Sequence, residues 1–376
     1  MAGWASIYLI LWLGLLVALG ACREAERPQL SSLLTPTAVP LATIAVQASP
    51  SPMAAAPPAR ATIKLADPMA FVSAPVLIAV EKGYFQEQGL EVQLEAVAGA
   101  ADVIPQLATG ELDAAHGGIS PGMFNAIARG VEIRVLAPMN LIPYGESSTQ
   151  LVIRKDLADQ GDIRSPADLR GRRIAVNTGG SLVNWQLDKV LFQHGLTIQE
   201  IDRVIIPFPD MPVALANGSI DGAMLIEPFL LRSVQQGIAA RLVTRTTPGA
   251  MTTSLIGAGK WLQERPEEVR RFMVGLMKGI RDIQGPQAGV ADPARLFRPE
   301  HLAIYQKYIN MPEEFLRAQI PNTWDPDLVV PIDTLMEQQA WFLRNGLLTY
   351  SSLLPPERVV DERFAQYARE TLGPAQ

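Results

Sequence analysis

Polar and apolar positions from residue 62 onward switch repeatedly between a period of two and a period near 3.6. Short apolar or alternating runs at Ile63–Ala66, Glu91–Glu95, Asp113–Ala115 and Ile133–Leu136 predict strands. Helical patterns stand between them. Val76, Ile78, Ala79 and Val80 share one face before Lys82-Gly83, Ala101–Leu107 stops at Gly110, and Met123–Arg129 stops at Gly130. The same scheme then recurs. Arg173–Val176, Val204–Ile206 and Ala223–Leu225 read as strands. Leu182–His194, Pro212–Leu215 and Pro228–Gln236 read as helices, with Pro228 suited to a first turn. Thr253–Ala258 reads as a returning strand. Val269, Phe272, Met273, Leu276, Met277 and Ile280 form one apolar face of a helix opened by Pro266-Glu267-Glu268. This rhythm implies an α/β protein with parallel sheets.

The recurrence extends to the residues themselves. Leu107-Ala108-Thr109-Gly110-Glu111-Leu112-Asp113-Ala114-Ala115 returns as Leu215-Ala216-Asn217-Gly218-Ser219-Ile220-Asp221-Gly222-Ala223. Two similar units in one chain predict two lobes with a cleft between them. Asp113 and Asp221 follow Gly in both copies, which fits a turn or cap role.

Ahead of this region the pattern changes. Trp4 to Ala21 carries no charged side chain and ends at Leu19-Gly20-Ala21-Cys22, which resembles the lipobox of bacterial lipoproteins. Residues 1–21 are accordingly expected to be a signal peptide, with Cys22 lipidated and holding the protein on the outer side of the cell membrane. Residues 22–61 are rich in Pro, Ala, Ser and Thr, cannot bury a core, and read as a tether. Cys22 is the only cysteine of 376 residues, so an internal disulfide or thiolate cluster is excluded. A net charge of −6 without a basic face argues against nucleic-acid binding.

Val80-Glu81-Lys82-Gly83-Tyr84-Phe85 followed by Gly89-Leu90-Glu91-Val92 resembles the opening signature of the SsuA/THI5-like solute-binding proteins of ABC importers. Asp168–Val176, the two Gly-x-Leu/Ile-Asp elements and Ile226-Glu227-Pro228-Phe229 resemble later blocks of that family. The resemblance spans about residues 62–285. It implies a type II periplasmic-binding-protein fold, with two Rossmann-like lobes, a hinge and an interlobe cleft. Lobe 1 would comprise 62–149 completed by 255–376, and lobe 2 would comprise 150–254. Crossover segments are expected near 147–154 and 248–256. It further implies a small-molecule ligand, a membrane permease and a separate ATPase subunit as partners, with the binding protein itself a monomer.

Ligands of open α/β sheets sit beyond the carboxyl ends of the strands. That rule nominates residues 67–75, 116–121, 138–149, 177–185, 207–211 and 225–229. None of these segments contains Lys or Arg. They hold aromatic faces and carboxylates, a combination suited to a flat heterocycle that donates N–H or O–H groups. Among the vitamin-type solutes that the family resemblance implies, riboflavin is the first expectation, on ring size and the number of aromatic candidates, and the pyrimidine precursor of thiamine the second. Sulfonate, taurine or nitrate, or an extracytoplasmic sensor of the same fold, are the alternatives. The candidate ligand residues are Phe71, His116, Tyr144, Asn177, Ser181, Trp185, Asp210 and Glu227. Several have a second reading: Trp185 and His116 as core residues, Glu227 as a partner of the helix dipole. Ser181 could serve as a helix cap after Asn177-Thr178-Gly179-Gly180, a loop whose free amides also suit an anion. The C-terminal third, from Leu302, shows helical patterning and no recognisable chemistry.

No enzyme signature survives inspection. Gly118-Ile119-Ser120-Pro121-Gly122 has the spacing of a nucleophile elbow, but Pro121 has no N–H to offer an oxyanion. Three scattered histidines give no metal-ligand spacing, and no cofactor motif or phosphate-binding loop occurs.

Overall fold

The computed structural model describes residues 60–97, 100–309 and 311–375. The signal segment, Cys22 and all but the last residues of the tether lie outside the described residues. Strands β1 (Ala61–Asp67), β2 (Leu90–Ala96), β3 (Ala114–Gly118) and β4 (Ile133–Leu141) belong to a first sheet. Strands β5 (Thr149–Arg154), β6 (Arg173–Val176), β7 (Asp202–Ile205), β8 (Gly222–Ile226) and β9 (Ala239–Val243) form a second. Strand β10 (Met251–Ala258) returns to the first sheet. The orders are β2-β1-β3-β10-β4 and β7-β6-β8-β5-β9.

The sheets are mixed, where the sequence pattern implied parallel ones. β1 runs parallel to β2 and β3, and β6 runs parallel to β7 and β8. The strands that carry the chain from one sheet to the other are antiparallel to their neighbours: β5 lies between β8 and β9, and β10 between β3 and β4. β5 escaped the pattern because Leu151, Val152 and Ile153 are all buried. A strand covered on both faces shows an apolar run in place of alternation.

The repeated Asp does the same work in each half. Asp113 Oδ2 accepts the backbone N–H of Lys64 at 2.9 Å, and Asp221 Oδ2 accepts that of Arg173 at 2.9 Å. In turn the amides of Asp113 and Asp221 donate to the carbonyls of Lys64 and Arg173. Each Asp therefore pins the neighbouring strand, β1 at its middle and β6 at its start. The glycine three residues earlier adopts φ of 76° at Gly110 and 75° at Gly218, a left-handed turn that favours glycine.

The helix Pro266–Ile283 buries all six residues of its predicted apolar face. It packs on the helices Ala74–Glu81 and Tyr84–Glu87 at very short range. A Cβ at Gly279 would stand 2.4 Å from the Pro75 carbonyl oxygen, and one at Gly275 would stand 2.6 Å from the Phe85 ring. Glycine at both positions is what lets the backbones meet.

Candidate functional site

A cavity of about 530 Å³ opens between the two sheets, at the carboxyl ends of their parallel strands. All six segments nominated from the strand ends contribute to its wall. Met69 to Val72 follow β1, Gly118 and Ile119 close β3, and Asn140 lies near the end of β4. From the second sheet come Asn177, Phe208 and Glu227, and β10 presents Thr252 and Thr253 at its start. The C-terminal third, in which the sequence showed no chemistry, also supplies wall: Ile309, Met311, Gln319, Ile320 and Asn322. No periodic signal marks these residues, because an irregular segment has no repeating face.

The wall is mostly apolar, with uncharged hydroxyl and amide groups set into it. Among the described residues that line it, none is Lys, Arg or His, and Glu227 is the single carboxylate. Glu227 Oε2 accepts the Leu231 amide at 3.1 Å and Oε1 accepts the Ile320 amide at 3.3 Å. Burial raises its carboxyl above the ordinary glutamate value, with the two amides and Arg241 opposing.

The candidate residues fall into three groups. Phe71, Asn177, Ser181 and Glu227 line the cavity. His116 and Trp185 are buried behind it, at 0% and 1% exposure. Tyr144 and Asp210 are exposed and outside its wall, with the Tyr144 ring resting beside Gly249 and Gly289.

Aromatic stacking area in the cavity is consequently smaller than the sequence promised. Phe71 is only 7% exposed, because its ring stacks on Phe297 at 5.9 Å and meets Tyr305 edge-on at 5.3 Å. Trp185 sits in the core of the second half, with Lys189 Nζ 5.7 Å above its ring. Phe208 is the other aromatic residue of the wall.

Ser181 holds the N-cap position of the helix Leu182–Phe192 but makes no side-chain bond to the helix amides. Its hydroxyl donates instead to Asn177 Oδ1 at 2.9 Å, and Asn184 Nδ2 ties the same loop to Thr178 O at 2.9 Å. Ser120, in the elbow-like sequence, caps its helix by accepting the Met123 amide at 3.3 Å.

Behind the wall a buried chain of polar groups reaches Thr253. Asp67 Oδ2 stands 2.9 Å from His116 Nδ1, and His116 Nε2 stands 3.1 Å from Thr253 Oγ1. Burial pushes the Asp67 carboxyl up, but bonds from His116, Ser73 and the Met69 amide outweigh it and hold the group below its usual value.

Residues 70–288 match the family described as NMT1/THI5 like. The chain belongs to that family. Two curated relatives illustrate its range. A putative thiamine biosynthesis protein of Haemophilus influenzae is 24% identical over 225 residues, covering 54% of this chain and 68% of that protein. The bicarbonate transport ATP-binding protein CmpC of Synechocystis is 29% identical over 184 residues, covering 46% of this chain. The match takes in only 27% of CmpC's own length. Among solved structures, the periplasmic aliphatic sulphonate binding protein SsuA of Escherichia coli aligns with a TM-score of 0.64 and 16% identity. That alignment covers 80% of this chain and 92% of SsuA, so this NMT1/THI5-like chain shares the periplasmic-binding-protein fold. No helix among the described residues is long and apolar enough to cross a membrane.

Proposed function

We propose that this protein is the extracytoplasmic solute-binding component of an ABC importer, and that its solute is a small, uncharged or cationic heterocycle bearing N–H or O–H donors. The observation that carries the ligand class is the cavity wall: apolar, with neutral polar groups and one carboxylate, and with no cationic side chain among the described lining residues. A nitrate or simple sulfonate ion draws on guanidinium or ammonium partners, or on several free amides. A donor-bearing ring draws on acceptors such as Glu227 and a dry, apolar enclosure.

Of the residues nominated at the strand ends, Phe71, Asn177, Ser181 and Glu227 are the proposed contacts. His116 acts from behind the wall. With only Phe71 and Phe208 offering ring faces, a single-ring solute such as the pyrimidine precursor of thiamine fits the wall better than the three-ring riboflavin. The similarity to a protein named for thiamine biosynthesis points the same way. Delivery to a membrane permease driven by a separate ATPase, attachment through a lipid on Cys22 and a monomeric state complete the reading.

The test is calorimetric titration of the purified protein with 4-amino-5-hydroxymethyl-2-methylpyrimidine, riboflavin, taurine and nitrate in turn. One-to-one binding of the pyrimidine or of riboflavin supports the donor-heterocycle class. Binding of taurine or nitrate alone overturns the ligand class and leaves the importer role.

A further inference from the structure

Thr253 lies at the meeting point of three strands. In β10 it is paired with Gly118 of β3 on one side and with Asn140 of β4 on the other. The residue lines the cavity, and its Oγ1 stands 3.1 Å from the buried His116 Nε2. What the hydroxyl can offer a ligand depends on which partner holds its proton.

The partners determine that. Asp67 is fully buried, and both carboxylate oxygens are occupied by N–H donors: Oδ1 accepts the Met69 amide at 2.8 Å, and Oδ2 faces His116 Nδ1 at 2.9 Å. A carboxylate so engaged is an acceptor, so His116 Nδ1 carries hydrogen. A neutral His116 then has its lone pair on Nε2, and the Thr253 hydroxyl must donate to it. Hydrolytic triads use a carboxylate in the same way, to select one imidazole tautomer. With its proton committed inward, Thr253 Oγ1 turns only lone pairs toward the cavity.

Asn140 beside it is held within the same sheet: its Nδ2 donates to Thr252 Oγ1 at 2.7 Å, while its Oδ1 is buried and offers the cavity no open surface.

We infer that Asp67 and His116 act as positioning residues that fix Thr253 Oγ1 as a hydrogen-bond acceptor on the cavity wall, selecting solutes that present an N–H or O–H group there. The inference rests on the reading of the cavity as a solute site. It adds that selection comes from a preset proton, since the same hydroxyl would serve as a donor if Nε2 carried hydrogen.

Two measurements test it, and only the second needs a ligand. In ¹⁵N-histidine-labelled protein at pH 7.5, the His116 signals are assigned by their loss in His116→Gln. They should show a protonated Nδ1 and a pyridine-type Nε2. A protonated Nε2, in either the other tautomer or the imidazolium, overturns the inference while leaving the solute-binding reading intact. In the second, 4-amino-5-hydroxymethyl-2-methylpyrimidine is compared with its analogue lacking the 4-amino group. Thr253→Val should weaken the amino compound at least tenfold and the analogue less than threefold, and Thr253→Ser should restore the wild-type ratio. An equal loss for both compounds, or none, overturns the acceptor role. If neither compound binds the wild-type protein, the ligand class of the preceding section fails, and the tautomer measurement still decides the inference.

Discussion

The carboxylate of Glu227 and the backbone amide of Ile320, 93 residues apart in sequence, meet at 3.3 Å on the wall of the cavity. Glu227 follows β8 of the second sheet. Ile320 precedes Thr323, which is bridged to Leu141 of the first sheet through Thr323 Oγ1 to the Leu141 carbonyl at 2.8 Å and the Leu141 amide to Thr323 O at 2.9 Å. The bond therefore links the end of the second sheet's middle strand to a segment fastened to the first sheet. It is a latch across the site, made by a residue that the solute also faces.

Removing that latch should be visible without any ligand. Hydrogen bonds to a charged acceptor contribute about 1.5–3 kcal/mol. Glu227→Ala should speed hydrogen exchange of the Ile320 amide by about ten- to a hundredfold, with smaller changes in β1 and β6. Unchanged exchange at Ile320 would mean that the bond holds nothing closed.

The same residue carries a pH signature. Burial raises the Glu227 carboxyl above its ordinary 4.5, so the folded protein holds a proton that the unfolded chain has already released. The stability this group contributes is complete below the unfolded value. It falls as pH rises from there through the raised value. Asp67 has the opposite sign: held below its usual 3.8, it contributes stability above that value and loses it as pH falls through the lowered one. Glu227→Gln should flatten the decline of Tm just above pH 4.5, while Asp67→Asn should flatten the acid limb below about 3.8. Thermal melts across pH 3 to 7, an interval of about four units spanning both carboxylate ranges, separate the two.

Trp185 and Phe71 should behave as core residues first. Trp185 is 1% exposed and Phe71 7%, so truncation to Ala leaves a cavity and should cost each about 3–5 kcal/mol in urea unfolding. Trp185→Phe, which preserves most of the volume, should keep ligand affinity within about threefold, corresponding to less than 1 kcal/mol. A larger loss of affinity in a well-folded Trp185→Phe would return this residue to the ligand site.

The two repeated aspartates offer an internal comparison. Asp113→Ala and Asp221→Ala each strip the acceptor from a strand amide, of Lys64 in β1 or Arg173 in β6. Each should cost about 2 kcal/mol by urea denaturation. Asp113 should be the more sensitive, because its side chain is 8% exposed against 13% for Asp221, and its contact with Arg265 is closer than the 3.9 Å contacts of Asp221 with Arg154 and Arg173. Equal, negligible losses would show that the repeat is a turn signal only.

Most of this architecture could be read from the chain alone, because local order follows local rules. Gly110 and Gly218 had to mark turns, since few other residues accept their backbone angles. The alternation of strand and helix placed six strand ends, and all six segments after them reach the cavity. The apolar face of Pro266–Ile283 was written in its spacing. Tertiary contact decided the rest. Whether Trp185 faced a ligand or a core depended on what packs over it, and its own helix could not say. The roles of Thr253, Asn140 and Ile320 depend on partners 112 to 137 residues away from two of them and 93 from the third. Strand ends and turns are set by neighbours within a few residues, whereas a hydroxyl's direction or a carboxylate's partner is set by whatever the fold brings against it, and no pattern along the chain records that.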